Sequence, residues 1–224
     1  VIRKAHQRKE ALEEFMIKFF MLGLLAFGSI TFGPHKANAQ FEASAANLSK
    51  YNYVDPGNIV PDVPLRRALT YYDVYYNQLR NRDYITVVDM TKKNTQKRMF
   101  LIDMKTGKVS TYLVAHGMGS DPSHTGMATR FSNTPGSNMT SIGLYVTGSQ
   151  YSGSHGKSLR LHGLEATNSN AFDRAIVIHG AWYVDPQYNP LGRSNGCPAV
   201  EQRYISSIVD RLKDGSVYYI WAGK

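Results

Sequence analysis

The segment Ile176-Val177-Ile178-His179-Gly180 ends an apolar run on a histidine, and Ser194-Asn195-Gly196-Cys197-Pro198 follows after fourteen intervening residues. A cysteine acts as a nucleophile through its thiolate, and an imidazole is the side chain suited to take or share the thiol proton near neutral pH. The pair therefore points to a cysteine nucleophile with His179 as its base. Pro198 reads as the first residue of a helix. That places Cys197 where unpaired N–H groups and the helix dipole favour negative charge. Gly196 lets the backbone turn tightly and lets a substrate approach, while the N–H groups of Cys197 and its neighbours could receive an oxyanion. Cys197 is the single cysteine of 224 residues, which rules out an internal disulfide and a Cys-rich metal cluster. The competing reading is a small buried hydrophobe, and the flanking Asn, Gly and Pro argue against it.

On these residues the chain resembles the YkuD-type L,D-transpeptidase family, whose motif is a His, 14 to 17 residues, then Ser/Thr-His-Gly-Cys. The resemblance extends through most of residues 84–221, with Ala115-His116-Gly117, Ser141-Ile142-Gly143-Leu144-Tyr145 and Gly192-Arg193-Ser194 similar to a branch that carries Ser-x-Gly-Cys-Pro at the nucleophile. It implies a catalytic set of Cys197, His179 and Gly180, the last supplying a backbone carbonyl that orients the imidazole in place of an acidic third member. It further implies that Cys197 attacks a peptidoglycan stem tetrapeptide at the bond between its third, dibasic residue and terminal D-Ala. A stem amine, water or a lipoprotein lysine then resolves the thioester, giving a cross-link between third-position residues, carboxypeptidase activity or anchoring. Carbapenems are expected to acylate such a thiol better than penicillins do.

Two positions depart from the family motif: Asn195 stands where its second His would be, and Ala199 where an Arg implicated in donor binding commonly lies. Arg193 is the first candidate for the missing cation and Arg203 a weaker one, since either guanidinium can pair with a carboxylate as a planar fork. The expected substrate-binding set is Arg193, Ser194, Asn195, Gly196, Tyr145 and His162, with ordinary packing the competing reading for Tyr145 and His162. No cofactor or metal is expected, because His116, His124, His155, His162 and His179 match no short metal-binding spacing. The expected partners are stem peptides, with a lipoprotein as a further acceptor, and the expected state is a monomer. Two alternatives stay open: a hydrolase of the same bond or of lipoprotein links, and a non-catalytic wall-binding module.

The elements that must position His179 and Cys197 read as mostly β. Asp62 and Pro64 start an amphipathic helix carried by Leu65, Leu69, Tyr72, Tyr76 and Leu79. Strands are expected at 84–90, 98–104, 109–115, 142–147, 158–162, 175–179 and 217–221, with the first three forming a meander. The Gly/Ser/Thr/Asn-rich stretch 116–141 is too long for a simple turn and is expected to border the site. A short helical piece is expected around 170–174, and a second main helix from Pro198 to a stop at Gly215. The expected fold is a single mostly β domain with two main helices, α+β by strict count. By resemblance it is a YkuD-like catalytic domain of the β-sandwich or barrel type.

The N-terminal part reads as a targeting segment. Phe19–Phe32 is an uncharged run of 14 residues, short of the roughly 20 needed to span a bilayer. Lys18 precedes it and Ala37-Asn38-Ala39 follows, so residues 1–39 are expected to be a signal peptide cleaved after Ala39, delivering the protein to the periplasm or cell wall. Met16 offers a compact start, and residues 1–15 read as an over-extended one. Residues 40–61 read as a lead-in and 62–224 as the catalytic domain. Loss of six Lys/Arg and three Glu with residues 1–39 lowers the net charge from +9 to +6, which suits a polyanionic wall polymer. No helix-turn-helix, zinc-finger or RNA-binding signature is present, so nucleic acid is not an expected partner. The 42% hydrophobic content excludes a disordered chain, and 19 Gly with 9 Pro excludes a collagen-like or linker sequence.

Overall fold

The computed structural model describes residues 48–223, and the expected signal peptide lies outside the described residues. After a 3-10 turn at Leu48–Tyr51 come α1 (Asp62–Val74), β1 (Tyr84–Asp89), β2 (Met99–Asp103), β3 (Val109–Tyr112) and β4 (Val114–Ala115). The chain continues with β5 (Gly143–Gly153), β6 (Gly156–Gly163), β7 (Val177–Ala181), β8 (Ala199–Glu201), α2 (Ile205–Leu212) and β9 (Val217–Trp221). The mostly β architecture with two helices is the one the sequence led us to expect.

The nine strands form one sheet in the order β3-β2-β1-β9-β5-β6-β7-β8-β4. Its two margins, β3 and β4, are separated in the chain only by Leu113, so the sheet rolls into a nearly closed barrel. The single expected strand at 109–115 is thus two strands serving opposite margins. Arg98 manages the break: its N–H donates to the Tyr112 carbonyl, while Nε and Nη2 both donate to the Val114 carbonyl at 3.1 and 2.9 Å.

β1 and β9 pair in parallel, and both are buried on two faces, which is why their sequences run apolar without strict alternation. Val88, Tyr218 and Ile220 face the main core, where Ile205, Ile208, Val209 and Leu212 of α2 meet them. Tyr219 points the other way and its hydroxyl accepts a hydrogen bond from Arg67 of α1 at 3.0 Å. The helices therefore cover different faces of the β1–β9 pair.

Three boundaries differ from expectation for local reasons. The first helix ends at Val74, and Tyr75 to Leu79 continue as turns held by the Leu79 N–H to Tyr75 carbonyl bond. Residues 170–174 form turns, not a helical piece. The second helix begins at Ile205 rather than Pro198, because Ala199–Glu201 pair with both β7 and β4 as an extended strand. Val200, Tyr204 and Ile208 keep a helical spacing in the sequence, and the strand pairing of Ala199–Glu201 overrides it. Strand β5 also runs six residues beyond the expected end at Thr147, through a register shift between Thr147 and Gln150, and turns into β6 at Ser154-His155.

Candidate active site

Strands β7 and β8 lie side by side in parallel, with His179 opposite Ala199. This adjacency sets His179 on β7 and Cys197, eighteen positions on, in the turn that enters β8 two residues ahead of Ala199. Cys197 closes a turn shaped by Ser194, whose hydroxyl accepts from the Gly196 N–H at 3.1 Å and donates to the Cys197 carbonyl at 2.6 Å. Gly196 has φ +126°, where only glycine is unstrained, and a Cβ there would meet the Met139 carbonyl at 2.9 Å and the Arg174 guanidinium at 3.3 Å. The turn is tied to the 116–118 segment: Ser194 N–H donates to the His116 carbonyl and Met118 N–H donates back to the Ser194 carbonyl.

His179 is buried and its Nδ1 lies 3.0 Å from the Gly180 carbonyl. A carbonyl only accepts, so Nδ1 carries the proton and Nε2 keeps the lone pair of a base. Burial lowers the His179 pKa, His155 adds to that, and the Gly180 carbonyl opposes it. Burial raises the Cys197 thiol, against a Val177 N–H and the Arg174 guanidinium that pull it down. Both directions favour the neutral form of each group. The thiol itself is directed at the Ala175 carbonyl, 3.6 Å from Sγ.

Iodoacetamide alkylation of Cys197 is therefore expected to accelerate with pH through a midpoint above the ordinary thiol value of ~8.5. A raised pKa moves thiolate formation to higher pH, so the rate at pH 7 should be a small fraction of its alkaline limit. A rate already at plateau at pH 6, measured by intact mass, would show a preformed ion pair instead.

A family model described as L,D-transpeptidase catalytic domain (YkuD_2) matches residues 59–221. The chain belongs to the L,D-transpeptidase catalytic-domain family. A search of curated proteins gives no match. Among solved structures, the chain is similar to an L,D-transpeptidase from Mycobacterium smegmatis at 11% identity and TM-score 0.40, covering 62% of this chain and 59% of that one. It is also similar to L,D-transpeptidase 3 from Mycobacterium tuberculosis at 11% identity and TM-score 0.41, covering 62% and 61%. A third is the L,D-transpeptidase from Xylanimonas cellulosilytica at 16% identity and TM-score 0.39, covering 70% of each chain. The chain thus spans about three fifths of the length of the two mycobacterial structures.

Within this L,D-transpeptidase domain, several expected site residues sit elsewhere than the sequence suggested. Cys197 precedes strand β8, and α2 starts eight residues later, so no helix N-terminus lies behind the thiol. Tyr145 is fully buried, its hydroxyl bonded to the Ser141 hydroxyl and carbonyl at 2.7 and 2.8 Å, and it meets Tyr218 edge-on. It is a core residue and does not line a cleft. His162 is also buried, stacked on Phe172 with ring centroids 5.1 Å apart, and burial pushes its pKa down to about 4. Packing, not substrate contact, accounts for both. Arg193 points away from the nucleophile: its Nη1 donates to the Asp121 and Pro122 carbonyls. Arg203 is paired with Glu201 at 2.5 Å. Asn195 is the exposed residue of the turn.

Two residues have a place at the site that the sequence reading did not give them: Arg174 was expected only as the end of a short helical piece, and His155 only as one of five histidines without a metal-binding spacing. Arg174 bonds the Ser132 and Met139 carbonyls at 2.7 and 2.6 Å and the Ser137 hydroxyl at 3.4 Å, clasping the 132–139 loop against the Cys197 turn. Its charge is the one that acts on the thiol. His155, at the β5–β6 turn, stacks on His179 with ring centroids 4.3 Å apart. Neither carried a sequence signal, since each is brought to the site by loop and strand pairing remote from the motif.

Behind the site lies a buried polar network. Arg98, with no exposed surface, donates from Nη2 to His116 Nδ1 at 2.8 Å and from Nη1 to the Lys92 carbonyl at 2.8 Å. An arginine only donates, so the His116 proton sits on Nε2, facing Asp121 Oδ2 at 3.4 Å. Burial and the Arg98 charge push His116 down to about 4, leaving it neutral.

Proposed function

We propose that the protein is an exported L,D-transpeptidase in which Cys197 is the nucleophile and His179 the base. What supports this reading is a tautomer-fixed imidazole on β7 and a half-buried thiol in the turn that enters the neighbouring parallel strand β8, in a chain of the L,D-transpeptidase family. His179 Nε2 takes the Cys197 proton as sulfur attacks the carbonyl carbon of the third stem residue. The tetrahedral oxyanion forms where the N–H of Cys197 can donate, the Gly196 N–H being spent on Ser194. Collapse expels D-Ala, whose amine leaves with the proton from His179, and a thioester remains on Cys197. An amine of a second stem then gives its proton to Nε2 and attacks the thioester, forming an amide and returning the thiol. Arg174, beside Gly196, supplies positive charge next to the reacting sulfur. A signal peptide cleaved after Ala39 accounts for access to the wall, and carbapenems are expected to acylate Cys197.

The test is product analysis of the protein incubated with purified stem tetrapeptides. Release of D-Ala with dimers joined between third-position residues is the expected result. Tripeptide without dimers would replace the transferase by a hydrolase, and no product with any acceptor would leave only a wall-binding module.

A further inference from the structure

The β5–β6 turn presents an exposed imidazole to a buried one. His155 lies on the turn at Ser154-His155, and Ser158, three residues on in β6, pairs with His179 in β7. The two rings stack at a centroid distance of 4.3 Å and an interplanar angle of 21°. An exposed side chain gives up rotamer freedom to lie in one such geometry, and the partner here is the base of the reaction proposed above. The ring of His179 is thereby fixed twice, in its plane by the Nδ1–H bond to the Gly180 carbonyl and on its face by His155.

The charged groups on the elements around this stack are otherwise engaged. Lys157 of β6 is paired with Asp210 of α2 at 2.8 Å, Arg160 of β6 lies over the Tyr151 and Phe172 rings, and Glu201 of β8 is paired with Arg203. Cys197 is the titratable group on the turn before β8, and Arg174 is committed to the 132–139 loop. His155 is therefore the ionisable ring that an imidazolium at His179 must face directly.

We propose that His155 is a positioning residue for His179, holding the imidazole plane against the Gly180 carbonyl and making proton uptake by the base depend on the charge of the ring stacked on it. This rests on the reading of His179 as the base. A neutral His155 offers a π face to the imidazolium that forms when the thiol proton moves. A protonated His155 repels it.

The experiment follows the His179 ring by NMR in the full chain with labelled histidine, as wild type, His155→Ala and His155→Phe, alongside stem-peptide turnover and Cys197 alkylation. In both variants the His179 titration should move up toward the ordinary imidazole value, because the second charge is gone. Turnover should fall about tenfold in His155→Ala with KM little changed, well short of the ~10²–10⁴-fold cost of losing a base. His155→Phe should restore most of kcat, since it keeps a ring on the His179 face. An unchanged His179 titration in both variants would overturn the proposal. If no protein turns over stem peptides, the transpeptidase reading falls, while the titration and alkylation curves still decide the part played by His155.

Discussion

Cys197→Ala is expected to stay folded and to lose all acyl-enzyme formation, with stem-peptide turnover reduced at least ~10⁴-fold. The side chain removed is one half-buried sulfur that meets the Ala175 carbonyl, the Val177 N–H and the margin of the core, so the melting temperature should stay within roughly 2–4 °C of wild type. His179→Gln should cost about 10²–10⁴-fold, because glutamine keeps a polar side chain beside Gly180 but cannot accept the thiol proton. The two losses should not add, since each residue is useless without the other. Intact mass after exposure to donor peptide reads the thioester directly. Thioester on another residue, or turnover that survives Cys197→Ala, would remove the nucleophile from this turn.

The second large effect is expected far from the sulfur. Arg98→Ala should destabilise the fold by ~3–5 kcal/mol, the usual consequence of taking one partner from a buried charged network. The guanidinium serves the Val114 carbonyl twice and His116 Nδ1 in fully buried bonds, and the Lys92 carbonyl in a part-buried one. Asp89 and Asp121, both buried, keep it charged and would be left without it. For a domain of this size the melting temperature should drop by roughly 6–20 °C, measured by calorimetry. A drop within error would mean that the neighbouring carbonyls find other donors. Folded Arg98→Ala molecules should also alkylate abnormally at Cys197. The ring that Arg98 holds belongs to His116, whose carbonyl anchors Ser194, and Ser194 shapes the nucleophile turn.

The pair His179 and Cys197 was legible because its chemistry is written within one parallel β7–β8 unit, where a fixed number of residues links strand end to turn. The fold class was legible because β-branched and aromatic runs recur between Gly-rich connections. Pro198 misled, since proline opens helices and also tolerates an extended lead into a strand; only pairing of Ala199 with β4 and β7 decides between them. Tyr145 and His162 were expected in the substrate-binding set with ordinary packing as the competing reading, and it is the packing that the fold displays. Their burial follows from the closure of the sheet, which a linear sequence does not display. His155 was hidden by composition: Gln150 to Gly156 is polar and Gly/Ser-rich, reads as a loop, and folds as a hairpin because its neighbours supply the ladder. Arg98 was read as the polar start of a strand and is among the most buried side chains of the domain.

The break at Leu113 has a bearing on how these molecules treat one another. A sheet normally ends in two long rows of unpaired N–H and C=O groups, which invite a strand from another chain and seed aggregation. Here both terminal strands are cut from one short segment, four residues in β3 and two in β4, and they curl toward each other. The folded domain thus offers a neighbour almost no template for strand addition. Among the described residues, it is the closure of the sheet that leaves both margins of the nine strands so short.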